Sequence, residues 1–201
     1  METMLNTGDL RGVVFDMDGT LTVSELDFDL IRAECGVPEG KSILEHMDDL
    51  PDAERQTVEN ILVRHERRAA AGSGLRDGAR EVLRDLRGRG FRIALLTRNS
   101  AESVTTVLGR FGLEFDCWLS REHAAPKPSP EPVLKIAETL GLQPDQLLIV
   151  GDYIFDVLAG HAAGALTALV KTDRDIVPPP QTDAVIDDLH ALLQLLPQKV
   201  E

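Results

Sequence analysis

Three short apolar segments, each followed at once by a polar residue, constrain the fold of this chain more than any other feature of its sequence. Residues 12–15, 92–96 and 146–150 are rich in valine, isoleucine and leucine, which is typical of strands buried on both faces. Segments with helical apolar spacing lie between them. This alternation favours a parallel sheet covered by helices, with right-handed crossovers that bring the carboxyl ends of the strands to one edge. We therefore expect any ligand site at that edge.

Further segments continue this alternation and predict an α/β fold, a Rossmann-like doubly wound parallel sheet. Weaker strands are predicted at residues 116–119, 166–170 and 183–186. Helices are predicted at residues 79–88, 101–111, 130–140, 155–163 and 188–196. Two helix starts have recognisable signals: Asn99 with Glu102 is typical of a capping box, and Ser129 before Pro130 is typical of a cap followed by proline in the first turn.

A segment after the first strand interrupts the alternation. It contains no convincing strand, and apolar side chains recur at helical spacing in residues 25–34, 42–48 and 51–71. We expect these segments to pack together as a small helical cap, residues 23–76, inserted after the first strand. Residues 1–22 and 77–201 would then form the α/β core.

The acidic charge of the chain limits its partners. The 201 residues include 34 acidic and 21 basic side chains, and the formal charge of -13 opposes general binding to nucleic acid or anionic lipid. A local cation can still bind phosphate. The sequence has no apolar run long enough to cross a bilayer and no leader-like start, so we expect a cytoplasmic location and no membrane partner. The sequence does not indicate the oligomeric state.

Two pairs of aspartates follow the first and third of the apolar segments. Asp16 and Asp18 are two residues apart, so their carboxylates project the same way if the strand direction continues. Such a pair suits metal binding or divided acid and base roles, because like charges oppose joint ionisation. Asp152 and Asp156 follow the third segment at the start of a helix. Taken alone, the first pair can be an acidic turn and the second a helix cap.

A hydroxyl group and two cations complete the polar edge. Thr97 follows the second apolar segment, and Lys127 lies in a loop between two prolines. Either residue alone is more often structural than functional. Arg98, directly after Thr97, can bind a second anionic group of a ligand through its planar fork, or it can lie in solvent.

The order of these residues is more specific than any one of them. In sequence, the chain has Asp16-Met17-Asp18-Gly19-Thr20, then Thr97 after a strand, then Lys127 before a proline, then Gly151-Asp152 followed by Asp156. This order resembles the four motifs of the haloacid dehalogenase-like hydrolase superfamily. The resemblance spans residues 13–170 and points to the phosphoglycolate phosphatase-like branch, with a short helical cap.

The resemblance implies a Mg²⁺-dependent phosphatase that hydrolyses a small phosphomonoester through a phosphoaspartate. Asp16 would be the nucleophile and a metal ligand, and Asp18 the acid and base that also offers its backbone carbonyl to the metal. Asp152 would bind Mg²⁺ directly, while Asp156 would orient Lys127 from outside the ligand sphere. The side chains expected to bind the substrate phosphate are Thr97, Arg98 and Lys127.

Three other functions use related residues. A haloacid dehalogenase proper needs neither a metal nor a proton donor two residues after its nucleophile, so Asp18 disfavours it. A phosphosugar mutase has the whole acidic set and differs mainly in its cap. A receiver-like phosphoaspartate switch also places acids, a threonine and a lysine at strand ends, but the long insertion and the acidic pair after Lys127 disfavour this third function.

Overall fold

A six-stranded parallel sheet forms the centre of the protein in the computed structural model, which describes residues 7–23, 26–174 and 176–198. The strands are β1 Gly12–Phe15, β2 Arg92–Leu96, β3 Cys117–Leu119, β4 Leu147–Gly151, β5 Leu166–Val170 and β6 Ala184–Ile186. Their order across the sheet is β3-β2-β1-β4-β5-β6, and all neighbouring strands are parallel. The predicted doubly wound, Rossmann-like sheet is therefore confirmed.

Eight α-helices accompany the sheet within the described residues. They are α1 Phe28–Glu34, α2 Ile43–Asp48, α3 Asp52–Gly72, α4 Ala79–Gly88, α5 Ala101–Phe111, α6 Glu131–Leu140, α7 Ile154–Ala163 and α8 Leu192–Leu195. Successive side chains of a strand point to opposite faces. Val13 and Phe15 of β1 accordingly pack with α4, α5 and α8, whereas Val14 packs with α6 and α7. Helices on both faces explain why the strands are almost entirely apolar.

The strand order reverses at β1, which pairs with β2 on one side and β4 on the other. Phe15, the last residue of β1, lies opposite Leu95 of β2 and Val150 of β4. The next helix of the core after β1 covers one face of the sheet, and the helix after β4 covers the other. The residues that follow these three strands therefore meet in the crevice where such sheets bind ligands.

Helices α1, α2 and α3 lie between β1 and α4 and share an apolar cluster of their own, which includes Ile31 and Leu62. The chain enters and leaves this group through adjacent segments, since the Val23 amide donates to the Gly74 carbonyl at 2.9 Å. We propose that these three helices are the cap expected at residues 23–76, and that the paired segments are its hinge.

Helix α3 connects this group of helices to the core. It has 21 residues, and Val58 and Leu62 pack in the apolar cluster that it shares with α1 and α2. Ala70, near its end, packs in the main core, and the Ala70 carbonyl accepts from Arg110 Nη1 at 2.6 Å.

Among the described residues, no helix is both long enough and apolar enough to cross a membrane.

Two helices differ in the structure from their predicted bounds. The helix predicted at residues 188–196 is a 3-10 turn, Leu189–Ala191, followed by the short α8. The helix predicted at residues 25–34 is α1, which begins at Phe28, after Asp27 accepts a capping hydrogen bond; residues 24–25 lie outside the described part of the chain. Local caps and turns set these boundaries, and apolar spacing does not reveal them.

The capping box predicted from Asn99 and Glu102 is wrong. Ser100 is the N-cap residue of α5, and its hydroxyl oxygen accepts from the Ser103 amide at 3.4 Å. The start predicted for α6 also shifts by one residue, because Pro130 occupies the N-cap position instead of the first turn. Because Ser100 caps α5, the side chain of Asn99 is free for another partner.

Candidate active site

A buried lysine connects the carboxyl ends of β1, β2 and β4. Lys127, in the loop before α6, is 2% exposed. Its Nζ atom donates to Asp16 Oδ1 at 2.6 Å and to Asp156 Oδ1 at 2.5 Å. A third bond goes to the carbonyl of Leu96, the last residue of β2, at 2.9 Å. These partners use all three donors of the ammonium group, so its position is fixed.

Burial and charge act in opposite directions on Lys127. Burial lowers the pKa of Lys127, but the carboxylates of Asp156 and Asp16 outweigh it and raise that pKa above its usual value. Burial also raises the pKa of Asp16 well above its ordinary value, although Lys127 acts against this shift. The lysine is therefore a permanent cation that touches a buried carboxyl group, which is the arrangement needed where an anion must approach.

Asp18 lies two residues after Asp16, and its carboxyl group is held by Asn99. The side-chain amide of Asn99 donates to Asp18 Oδ2 at 2.5 Å. Burial raises the pKa of Asp18 to about 6, and the Asn99 hydrogen bond opposes that shift. The charges of Glu66 and Asp152 raise it further. A carboxyl group with this pKa can give and take a proton near neutral pH.

Asp152 follows β4 and is 2% exposed. Thr20 Oγ1 donates to its Oδ1 atom at 3.3 Å, and Arg174 Nη1 lies 3.5 Å from its Oδ2 atom. Burial and the charge of Asp156 raise the pKa of Asp152 to about 6, and Arg174 opposes this shift. A buried carboxylate in this setting is stabilised by a bound cation.

Three of the aspartates are close enough to surround one ion. Carboxylate oxygens of Asp16, Asp152 and Asp156 all lie within 4.8 Å of one another. Donors that are all oxygen atoms fit a hard cation such as Mg²⁺. Both oxygens of Asp156 already accept hydrogen bonds, one from Lys127 and one from the Tyr153 amide at 3.2 Å. The two contacts of Asp152 are longer, at 3.3 Å and 3.5 Å, so Asp16 and Asp152 fit direct ligation better than Asp156 does.

Two glycines let the backbone come close to these carboxylates. Gly19 has a φ of +88°, and a Cβ atom there would lie 2.3 Å from Asp152 Oδ2. A Cβ atom at Gly151 would lie 2.0 Å from the carboxylate carbon of Asp156. Any larger residue at either position would displace a carboxylate, so the glycines preserve the geometry of the acidic cluster.

Replacing Gly19 by alanine is expected to lower the free energy of unfolding by about 2–4 kcal/mol, through backbone strain and displacement of Asp152. Urea unfolding measures this loss. The matched control is Gly40→Ala, because Gly40 also has a positive φ, +78°, but nothing lies within 4 Å of its Cβ position. The control should lose only about 1 kcal/mol, the cost of the strain. If both variants lost the same free energy of unfolding, the close approach of Gly19 to Asp152 would not be the cause of the larger loss.

Thr97 and Asn99 form the polar loop after β2. Thr97 is 4% exposed, and its amide donates to the Leu119 carbonyl at 3.0 Å, which continues the pairing of β2 with β3. Its Oγ1 atom accepts from the Asn99 amide at 3.1 Å. The hydroxyl proton remains available for an acceptor at the crevice.

The acidic cluster and Lys127 lie together at the sheet edge, and three of their neighbours were not predicted. Asn99 is one of these three residues. Its contact with Asp18 was not predicted, because its position before a helix indicated a helix cap. The others form a buried pair: Glu66 of α3 is 2% exposed, and its Oε1 atom accepts from Arg121 Nη1 at 2.5 Å. Glu66 lies in a run of charged residues, but it follows Val58 and Leu62 at four-residue helical spacing, which is the one signal that could have predicted its burial.

Known proteins resemble this chain in both sequence and structure. The family model of the haloacid dehalogenase-like hydrolases matches residues 39–164. A haloacid dehalogenase-like hydrolase domain-containing protein of Arabidopsis thaliana is 32% identical over 93% of this chain and 84% of that protein. The N-acetylmuramic acid 6-phosphate phosphatase of Pseudomonas putida is 30% identical over 81% of this chain and 83% of that protein. The crystal structure of a protein described as a predicted phosphoglycolate phosphatase from Haemophilus somnus has a TM-score of 0.74 at 23% identity, covering 93% of this chain and 98% of that one.

Proposed function

This chain belongs to the haloacid dehalogenase-like hydrolase family, and we propose that it is a Mg²⁺-dependent phosphatase that hydrolyses a small phosphomonoester through a phosphoaspartate on Asp16. The observation that carries the proposal is the buried contact between Lys127 Nζ and Asp16 Oδ1, at 2.6 Å. A phosphate ester is an anion, so a carboxylate can attack it only where a cation offsets the repulsion between them. Lys127 meets that requirement.

The first step transfers the phosphoryl group to the protein. An oxygen atom of Asp16 attacks phosphorus, and the bond between phosphorus and the alcohol oxygen breaks. Lys127 holds Oδ1, which leaves Oδ2 of Asp16 for the attack. Asp18 carries a proton in a fraction of the molecules, because its pKa is about 6. It gives that proton to the departing oxygen, so that the alcohol leaves neutral.

The second step returns the protein to its starting state. Asp18, now a carboxylate, removes a proton from a water molecule, and the water oxygen attacks phosphorus. The bond between phosphorus and Asp16 breaks, inorganic phosphate leaves, and Asp18 holds its proton again. Asn99 donates to Asp18 at 2.5 Å and so keeps the carboxyl group in one orientation through both steps.

Mg²⁺ would be held by Asp16, Asp152 and the backbone carbonyl of Asp18, while Asp156 orients Lys127. When bound, the ion supplies positive charge that stabilises the phosphoryl oxygens. Thr97 can donate its hydroxyl proton to one of those oxygens. The backbone N–H of Asn99 donates to Thr97 Oγ1 and so orients the hydroxyl group.

The substrate is proposed to be a small molecule. The Pseudomonas putida relative is by its name a phosphatase of a phosphorylated sugar derivative, which supports a small phosphomonoester here. The net charge of -13 supports the absence of a nucleic-acid partner.

Phosphate release from p-nitrophenyl phosphate tests the metal and the reaction together. We expect turnover with Mg²⁺, a loss of about a hundredfold or more after EDTA treatment, and recovery when Mg²⁺ is added back. A broad panel of phosphomonoesters would then rank substrates. A phosphosugar mutase would instead release little phosphate, and a receiver-like switch would keep its phosphoaspartate. Turnover without metal, or none on any ester, would contradict the proposed function.

A further inference from the structure

Arg98 is a partly buried cation that the two steps above do not use. It follows Thr97 in the loop after β2. Its Cζ atom lies 4.3 Å from the centroid of the Phe155 ring, in the first turn of α7. Its Nη2 atom donates to Ser42 Oγ, at the start of α2, at 3.2 Å. The guanidinium is thus held across the junction of the cap helices and the core, not in open solvent.

One end of this guanidinium has no partner. Nη1 is buried and makes no hydrogen bond within the described part of the chain. No ion pair joins Arg98 to a carboxylate of the described residues, although the charges of Glu45 and Asp156 act on it from farther away. Burial lowers the pKa of Arg98. A buried donor on a cation is costly when no acceptor is present, so an anion arriving there would be strongly favoured.

Arg121 provides a comparison at the same junction. Its Nη1 atom donates to Glu66 at 2.5 Å and to the Arg98 carbonyl at 3.3 Å. Its Nη2 atom is also buried without a hydrogen-bond partner among the described residues. The charge of Arg121 is nevertheless neutralised by a buried carboxylate, whereas that of Arg98 is not. The unmatched charge therefore lies on Arg98, the residue next to Thr97.

We propose that Arg98 forms a second anion-binding subsite and that the substrate carries a second anionic group, a carboxylate or a phosphate, beside its phosphate ester. This inference rests on the proposed phosphatase function and narrows its substrate class. The charges of Asp156 and Asp16 both act on Arg98, so the second anion lies near the phosphate that Asp16 attacks. The planar guanidinium can bind either anion through two parallel hydrogen bonds, and the Phe155 ring supports its plane.

The test compares pairs of substrates that differ only in the second anion. Phosphoglycolate and ethyl phosphate differ by a carboxylate in place of a methyl group, and 1,2-ethanediol bisphosphate and 2-hydroxyethyl phosphate differ by a phosphate. We expect the wild type to have the higher kcat/KM for the member with two anionic groups in at least one pair. Arg98→Gln should lower that preference by about tenfold to a hundredfold, mainly through KM. The pair that responds identifies the second anion.

Two control variants separate recognition from structure. Arg84→Gln removes a charge from an exposed position on α4. Ser42→Ala removes the contact between Arg98 and the cap together with the hydroxyl that caps α2, so thermal unfolding must verify that this variant is folded. Both should keep the wild-type preference. Arg98→Lys retains the charge without the planar fork and should show an intermediate preference. If Ser42→Ala lowered the preference as much as Arg98→Gln, Arg98 would be only a cap contact, and the subsite would be wrong.

Calorimetry with non-hydrolysable probes separates this proposal from the phosphatase proposal. Phosphonoacetate should bind about tenfold more tightly than ethylphosphonate, and Arg98→Gln should remove the difference. If the second anion is a phosphate, the corresponding pair of probes is methylenebisphosphonate and methylphosphonate. A selective binder that releases no phosphate would overturn the phosphatase proposal alone. Equal binding of the two probes in both pairs would overturn the subsite. So would an Arg98→Gln protein that keeps the wild-type selectivity in both the kinetic and the calorimetric assay.

Discussion

Replacing Asp16 by asparagine is expected to lower the rate of phosphate release by about a thousandfold or more, because an amide cannot form the phosphoaspartate. The substitution keeps the size of the side chain, and an amide oxygen can still accept from Lys127, so the fold should be retained. The measurement is kcat for p-nitrophenyl phosphate at saturating Mg²⁺, with thermal unfolding to verify that both proteins are folded.

The control for Asp16→Asn is Asp145→Asn. Asp145 is exposed and precedes β4, so it lies at the opposite ends of the strands from the acidic cluster. Removing one negative charge there should leave kcat unchanged. A folded Asp16→Asn protein that kept about a tenth or more of the wild-type rate would rule out a phosphoaspartate on this residue.

Replacing Lys127 by methionine is expected to lower the free energy of unfolding by about 3–5 kcal/mol in the absence of metal, besides removing activity. Methionine has a similar length, so the loss comes chiefly from charge. Asp16 and Asp156 would remain buried, without the ammonium group that now donates to both. Urea unfolding in EDTA measures the loss, and added Mg²⁺ should restore part of it by binding only the folded state.

The loss in Lys127→Met should depend on pH. Burial already raises the pKa of Asp16, and Lys127 acts against that shift, so its removal raises the folded-state pKa further. A carboxyl group with a raised folded-state pKa stabilises the fold only while protonated. The deficit should therefore be smaller at about pH 5 than at about pH 8. A deficit that is independent of pH would show that lost packing, not the uncompensated charge of Asp16, causes it.

Lys171→Met provides the matched control. Lys171 also pairs with an aspartate, Asp187, at 2.6 Å, but the two side chains are 63% and 80% exposed. Water screens such a pair, so its loss should change the free energy of unfolding by about 0.5 kcal/mol or less. If both lysine variants lost the same stability, burial would not be the reason for the strength of the Lys127 contacts.

The apolar segments predicted the core accurately because their physical causes are local. Strands such as Gly12–Phe15 and Leu147–Gly151 are fully apolar, since helices cover both faces of the sheet. The predicted helices Ala79–Gly88 and Ala101–Phe111 have the observed bounds, because one face of each is apolar at helical spacing. The alternation of such segments leaves few possible topologies.

Side-chain partners were harder to predict than elements. Asn99 occupies a position that is typical of a helix cap, yet the hydroxyl of Ser100 takes that role and Asn99 holds Asp18. Asn99 and Asp18 are 81 residues apart in the chain. Either polar side chain can cap a helix, and only the packed structure decides between them. Glu66 was missed for a similar reason, because its buried partner comes from a distant loop.

The sequence by itself determined that the polar residues after the strands share one edge of the sheet, since apolar period and crossover handedness fix the strand directions. The tertiary structure alone decided which of those residues touch. Lys127 and Asp16 are 111 residues apart and meet at 2.6 Å, and burial together with the neighbouring charges shifts the pKa of both groups. Such contacts depend on how loops and rotamers pack in three dimensions, and that packing leaves no periodic signal in the chain.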